Sequence, residues 1–214
     1  MKRESPHILQ LEYDVHPGVA LVQKWVAELP AKTGRTLEQW GELVGELPHQ
    51  SAQEKREFLK KKHHIGTNAA WWIVEYAEGQ PTWDADPETY LACAQEYVQN
   101  MFSGKRAELL PILEIVADVA RTLGDDVRIC PCKTIVPFYR QRVFAEIKPS
   151  TQTRVDLSLA LDSALQEQGC LKRNDVKIRN GDRLTHSIAL HKPSDFHREA
   201  QDWLRRAYER DAET

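Results

Sequence analysis

Through the first eighty positions apolar residues recur at helical spacing. Val22, Trp25, Val26 and Leu29 follow Pro17 at three- and four-residue steps, which predicts a helix stopping at Pro30. After the link AKTG, Thr36-Leu37-Glu38-Gln39 has the form of a capping box, a hydroxyl at the N-cap and an amide side chain three residues on. It opens a second helix with the stripe Leu37, Trp40, Leu43, Val44 and Leu47, ended by Pro48. Ser51 and Glu54 repeat the box for a third helix carrying Phe58 and Leu59, which Gly66 is expected to break. Thr67 or Asn68 should cap a fourth helix through Ala70, Ile73, Val74 and Ala77, before the loop EGQPTWDADP. Helices this short cannot bury their stripes alone, so residues 1–80 are expected to form a small helical bundle.

From residue 86 the organisation changes. Tyr90, Ala94, Tyr97, Val98 and Met101 mark one longer helix; Leu109, Ile112, Leu113, Val116, Ala120 and Leu123 mark another, with Pro111 in its first turn. After Gly124 the period switches from about 3.6 to 2. Strands are predicted over residues 127–132, 134–139, 142–148, 154–161 and 186–191, and a last helix from Ser194 carries Phe196, Ala200, Trp203, Leu204 and Ala207. Helices, then strands with short links, then a helix give an α+β domain over 86–210. Its sheet should be antiparallel, of four or five strands, with flanking helices.

Composition narrows the class. Of 214 residues, 41% are hydrophobic and 29% charged, enough for a packed core and against general disorder. No apolar run reaches the roughly 18 residues of a membrane helix, and the start MKRESPHILQLEYD has no apolar signal region. A cytoplasmic protein without membrane partners is expected. Cys93, Cys130, Cys132 and Cys170 then read as reduced thiols. The net charge of −3 excludes a generally basic nucleic-acid binder.

Two stretches resemble known modules. HPGVALVQKWVAELPAKTGRTLEQW and KREFLKKKHHIGTNAAWWIVEYA are similar to a bacterial helical module of unknown function with a TG-(K/R)-(S/T)-L-x-x-W start and a G-x-(N/G)-x-A turn. FYRQRVFAEIKPSTQTRVDLSLAL and SIALHKPSDFHREAQDWLRRAYE resemble a second domain of unknown function, seen also at the end of some predicted transport-type proteins. The resemblance implies a two-domain architecture and carries over no activity or catalytic residue.

The charge is unevenly placed. Residues 128–183 hold 11 basic and 6 acidic residues, whereas residues 1–80 hold 10 and 11. Within the basic stretch Arg140, Arg142, Lys148 and Arg154 are the candidate anion-binding residues. Arg140 and Arg142 share parity with Phe138 and Phe144, which would suit phosphate contact and base stacking. The alternative is a solvated face whose arginines pair with neighbours such as Asp156. Around His64, Gly66 and Asn68 a hairpin-like turn follows Lys60, Lys61 and Lys62; its backbone N–H groups could meet a phosphate, or its histidines could simply cap the helix.

Other patterns are weaker. Asp125, Asp126 and Glu146-Ile147-Lys148 outline a restriction-type nuclease set, but Glu-x-Lys is common on strands. Cys130-Pro-Cys132 lacks a second ligand pair, so it reads as two buried thiols and no metal site is expected. Of Trp71 and Trp72 one should be buried and the other partly exposed; with Trp83 they are candidates to line a contact between modules. No phosphate-cradling loop, dinucleotide fingerprint or nucleophile elbow is present, and no cofactor is expected. The sequence thus favours a non-enzymatic binding or regulatory protein whose sheet domain meets an anionic small molecule or nucleic acid. A hydrolase or nuclease with a site at the domain junction, and a purely structural interaction module, are the competing classes. A homo-oligomer is compatible with each.

Overall fold

A computed structural model describes residues 11–47, 51–79, 86–174 and 183–213. Pro48, Trp83, most of the EGQPTWDADP loop and residues 175–182 of the basic stretch lie outside them. The chain divides into two compact units, Val15–Cys93 and Ala94–Thr214, the second also taking in residues 11–14.

The first unit is helical. α1 (Pro17–Thr33), α2 (Leu37–Gly45), α3 (Ala52–His63) and α4 (Thr67–Ala77) bury Leu29, Leu37, Trp40, Val44, Leu59, Ala70, Ile73 and Val74 in one core. Both predicted capping boxes form: Thr36 and Gln39 at α2, Ser51 and Glu54 at α3. Trp72 is buried edge-on against Trp25, with ring centroids 5.6 Å apart, while Trp71 is 43% exposed. α2 and α4 come close at Gly41, where a Cβ would sit 3.0 Å from the Tyr76 ring.

Three boundaries differ from expectation. α1 continues through Pro30 to Thr33, because Gly34 in the left-handed region (φ 76°) lets its N–H close on the Pro30 carbonyl at 2.8 Å. Pro30 costs one hydrogen bond close to the helix end, which the buried Leu29 beside it offsets. α3 ends on His64, not Gly66: His64 takes φ 55°, and the Ile65 N–H reaches back to the Leu59 carbonyl. Gly66 in turn is the N-cap of α4, with no side-chain cap from Thr67 or Asn68.

In the second unit the fold is α+β, as the change of period indicates. α5 (Pro87–Met101), which belongs to this unit from Ala94 on, leads by a 3₁₀ segment, Gly104–Leu109, into α6 (Leu110–Arg121). Six strands follow: β1 (Arg128–Ile129), β2 (Val136–Tyr139), β3 (Val143–Pro149), β4 (Val155–Leu159), β5 (Lys172–Arg173) and β6 (His186–Leu190). They pair antiparallel throughout in the order β1-β2-β3-β4-β6-β5. A 3₁₀ turn, Pro193–Asp195, precedes α7 (Arg198–Glu213), so the last helix opens four residues later than the sequence suggests. β5 was not anticipated, since Lys172 and Arg173 are both exposed and show no alternation.

One face of the sheet is apolar. Val136, Phe138, Ala145, Ile147, Val155, Leu157, Leu159, Ile188 and Leu190 are buried with Ile112, Leu113 and Val116 of α6 and Trp203, Leu204 and Ala207 of α7. The other face carries Glu146, Lys148, Asp156, Ser158, Ser187 and Ala189, none of them buried. Residues 11–14 lie along β1, where the Asp14 N–H donates to the Ile129 carbonyl and its carboxylate accepts from the Ile129 N–H and Arg121. No helix among the described residues is long and apolar enough to cross a membrane.

Candidate functional site

A cleft of about 470 Å³ opens at one end of the sheet, between the β1–β2 link, the end of β3 and the segment joining α5 to α6. Three cations enter it from three elements: Arg106 from the 3₁₀ segment, Lys133 from the β1–β2 link and Lys148 from β3. Thr134, Ser150 and Asn100 supply uncharged donors, and Tyr97, Met101 and Pro149 an apolar wall. Among the described residues no acidic side chain lines it. Among the described residues none of the three cations has a carboxylate within ion-pair distance.

That freedom has a local cause. Lys148 stands directly opposite Asp156 in the β3–β4 register, the natural cross-strand partner. Asp156, however, is taken by Arg154, the residue just before β4, with an ion pair of 2.9 Å and an Nη2 contact of 3.3 Å. Arg154 thus neutralises the acid that Lys148 would otherwise meet. Three converging positive charges beside a partly apolar wall can hold a phosphate or carboxylate, each cation donating charge-assisted hydrogen bonds. A second cleft of about 510 Å³ lies beyond the same 3₁₀ segment, lined by Lys105, Glu108, Gln152 and His191.

Of the four basic residues singled out in the sequence, the structure brings Lys148 to the cleft and ties the other three to acids. Arg140 bonds Asp126 at 2.7 Å and lies 4.1 Å over the Tyr208 ring. Arg142 is 3.7 Å from Asp211. Phe138 and Phe144 share the parity of these arginines but have no exposed surface on which a base could stack. Arg106 and Lys133 carried no periodic signal. Arg106 sits in a segment too short to show one, and Lys133 in a link whose position depends on strand pairing.

At the α3–α4 turn, Gly66, Thr67 and Asn68 are exposed. Its lysines are already engaged: Lys60 and Lys61 pair with Glu57, and Lys62 lies 5.0 Å over Phe58. His63 is wedged edge-on between Trp40 and Phe58, its Nε2 buried without a hydrogen-bond partner. Desolvation, aided by Lys62 and Arg35, holds its pKa below the ordinary histidine value. The unfolded chain therefore takes up a proton at a pH where the folded one resists it. Stability of the helical unit is expected to be complete above about pH 6.5 and to fall as pH drops below it. Melting curves of the wild type and His63→Phe across that range check this. The wild type should lose more stability than the variant on acidification.

The nuclease-like set does not assemble as a free carboxylate pair. The Asp126 carboxylate accepts from Tyr208 at 2.6 Å and from Arg140, and these bonds hold its pKa below the usual range. Glu146 stands across β3 between Pro137 and Ser158. Cys130 is fully buried and Cys132 half-buried; burial pushes their thiols up to about 12 and about 11. Such thiols stay protonated and unreactive.

Residues 98–211 match the family model described as a domain of unknown function (DUF5655), and residues 22–79 the one described as a domain of unknown function (DUF4287). Two distinct domains of unknown function thus follow one another, as the two sequence resemblances imply. No curated protein and no solved structure matches the chain.

Proposed function

The chain belongs to the DUF5655 family, and we propose that it is a non-enzymatic binding protein whose sheet domain captures a small anionic molecule in the Arg106–Lys133–Lys148 cleft. The observation that carries this reading is the convergence of three cations, from three chain segments, on a cleft that no acidic side chain lines among the described residues. Like charges repel, so gathering them without acids costs stability unless an anion completes the set. A volume of about 470 Å³ lies within the roughly 300–1,000 Å³ of small-molecule sites, which favours a metabolite over a nucleic acid. Tyr97, Met101 and Pro149 suit a ligand with a short apolar part beside its phosphate or carboxylate. Four free cysteines fit a reducing bacterial cytoplasm.

Thermal-shift and calorimetric titration with pyrophosphate, citrate, adenosine monophosphate and a short oligothymidylate tests the proposal. A small anion present at a hundred times its dissociation constant should stabilise the sheet domain by about 2.7 kcal/mol, a rise of several degrees. Added salt should weaken it by screening. Lys133→Glu/Lys148→Glu should abolish the shift while leaving the ligand-free melting temperature almost unchanged, because both side chains are exposed. An unaltered shift in that variant, or response to the oligothymidylate alone, would overturn the reading.

A further inference from the structure

We propose that Cys170, His197 and Glu199 form a binding site for a zinc-class divalent cation, with three protein ligands and a position left for water. The thiol, an imidazole nitrogen and a carboxylate oxygen all lie within 4.8 Å of one another. Tetrahedral zinc, with bonds of about 2.0–2.3 Å, sets its ligand atoms roughly 3.3–3.8 Å apart, so closure asks for a shift of about one ångström. Cys170 is half-buried and the other two are exposed, which leaves the side chains free to make it.

Two separate pieces of chain build the cluster. Gln168 and Leu171 exchange backbone hydrogen bonds across a tight turn just before β5. Gly169 holds φ 53° within it, and the turn directs Cys170 toward the start of α7. His197 immediately precedes α7 and Glu199 lies in its first turn. The carboxylate of Glu199 sits so close over Gly169 that a Cβ there would collide with it. Glu199 also accepts the Cys170 N–H at 3.3 Å, a bond that orients the two ligands before any ion arrives.

The donor set selects the ion. One sulfur, one nitrogen and one oxygen are too soft for magnesium or calcium, which take oxygen, and suit zinc. Binding displaces the thiol proton to solvent and pins the turn before β5 to the first residues of α7. Neighbouring-ligand motifs such as CxxC miss this arrangement, because Cys170 is brought to His197 by the antiparallel return of the chain.

The test is a cobalt titration of the purified full chain after treatment with a chelator. The wild type should develop a thiolate-to-cobalt charge-transfer band together with the visible bands of a tetrahedral ion, and zinc should erase both. Cys170→Ser should abolish the charge-transfer band, whereas Cys93→Ser should keep it. His197→Gln should weaken cobalt binding at least about tenfold. Zinc should raise the melting temperature of the wild type and not of Cys170→Ser. Circular dichroism without metal shows that each variant is folded. Absence of the band in folded wild type, or its survival in Cys170→Ser, would overturn the site.

Discussion

Replacing Asp211 with alanine should lower the melting temperature of the sheet domain by roughly 10–20 °C. The carboxylate has no exposed surface and serves three hydrogen-bond donors and one further cation. Arg183 bonds it at 2.7 Å, the backbone N–H groups of Gln141 and Arg142 each donate at 2.9 Å, and the Arg142 guanidinium lies 3.7 Å away. Without it the β2–β3 turn loses the acceptor for two N–H groups, and Arg183, only 24% exposed, is left unpaired. Removing one partner of a buried pair costs about 3–5 kcal/mol, far more than an exposed ion pair. Asp211→Asn keeps an acceptor oxygen and should lose about half as much. Urea unfolding followed by a probe specific to this domain measures it, since a two-unit chain need not unfold in one step. A loss under about 1 kcal/mol for the alanine variant would show that the turn is held by other contacts.

Phe144→Ala is expected to be nearly as damaging, at about 3–5 kcal/mol. Its ring is wholly buried, edge-on to Phe138 at 6.4 Å and to Tyr208 at 5.6 Å. It reaches that place through a bulge: Phe138 pairs with Ala145 and Tyr139 with Val143, so Phe144 is the extra residue on β3. Phe144 and Ala145, though adjacent, are therefore both buried. Phe144→Leu, which keeps most of the volume, should cost less than about 1.5 kcal/mol. Were β3 regular, one of the two would face solvent. Equal, small losses in both variants, read from chemical denaturation, would argue against the bulge.

These two positions mark the limit of what periodicity can deliver. The parity argument put Arg140, Arg142, Phe138 and Phe144 on one side of the sheet, and their contacts are on the α7 side: Tyr208 with Phe144 and Arg140, Asp211 with Arg142. Periodicity could not say what covers that side. α7 supplies Tyr208 and Asp211 from some seventy residues away, and they bury the two phenylalanine rings and pair the two arginines with Asp126 and Asp211. Lys148 differs because its cross-strand acid already belongs to Arg154, a matter of register and side-chain reach.

By itself the sequence determined the features whose causes are local. Both capping boxes, the four short helices and their stripes, the change to alternation after Gly124 and the five principal strands follow from residues within a turn or two of each other. Pro30 and Gly66 misled at the edges, because helix ends depend on which neighbour reaches the left-handed region, here Gly34 and His64. Only the tertiary structure decided the chemistry. Arg106, Lys133 and Lys148 meet because three strand and helix ends converge. Cys170 meets His197 and Glu199 because the chain turns back, and Asp211 finds its three donors through the docking of α7. Charges attract or repel according to distance in space, and a strand pattern carries no record of that distance.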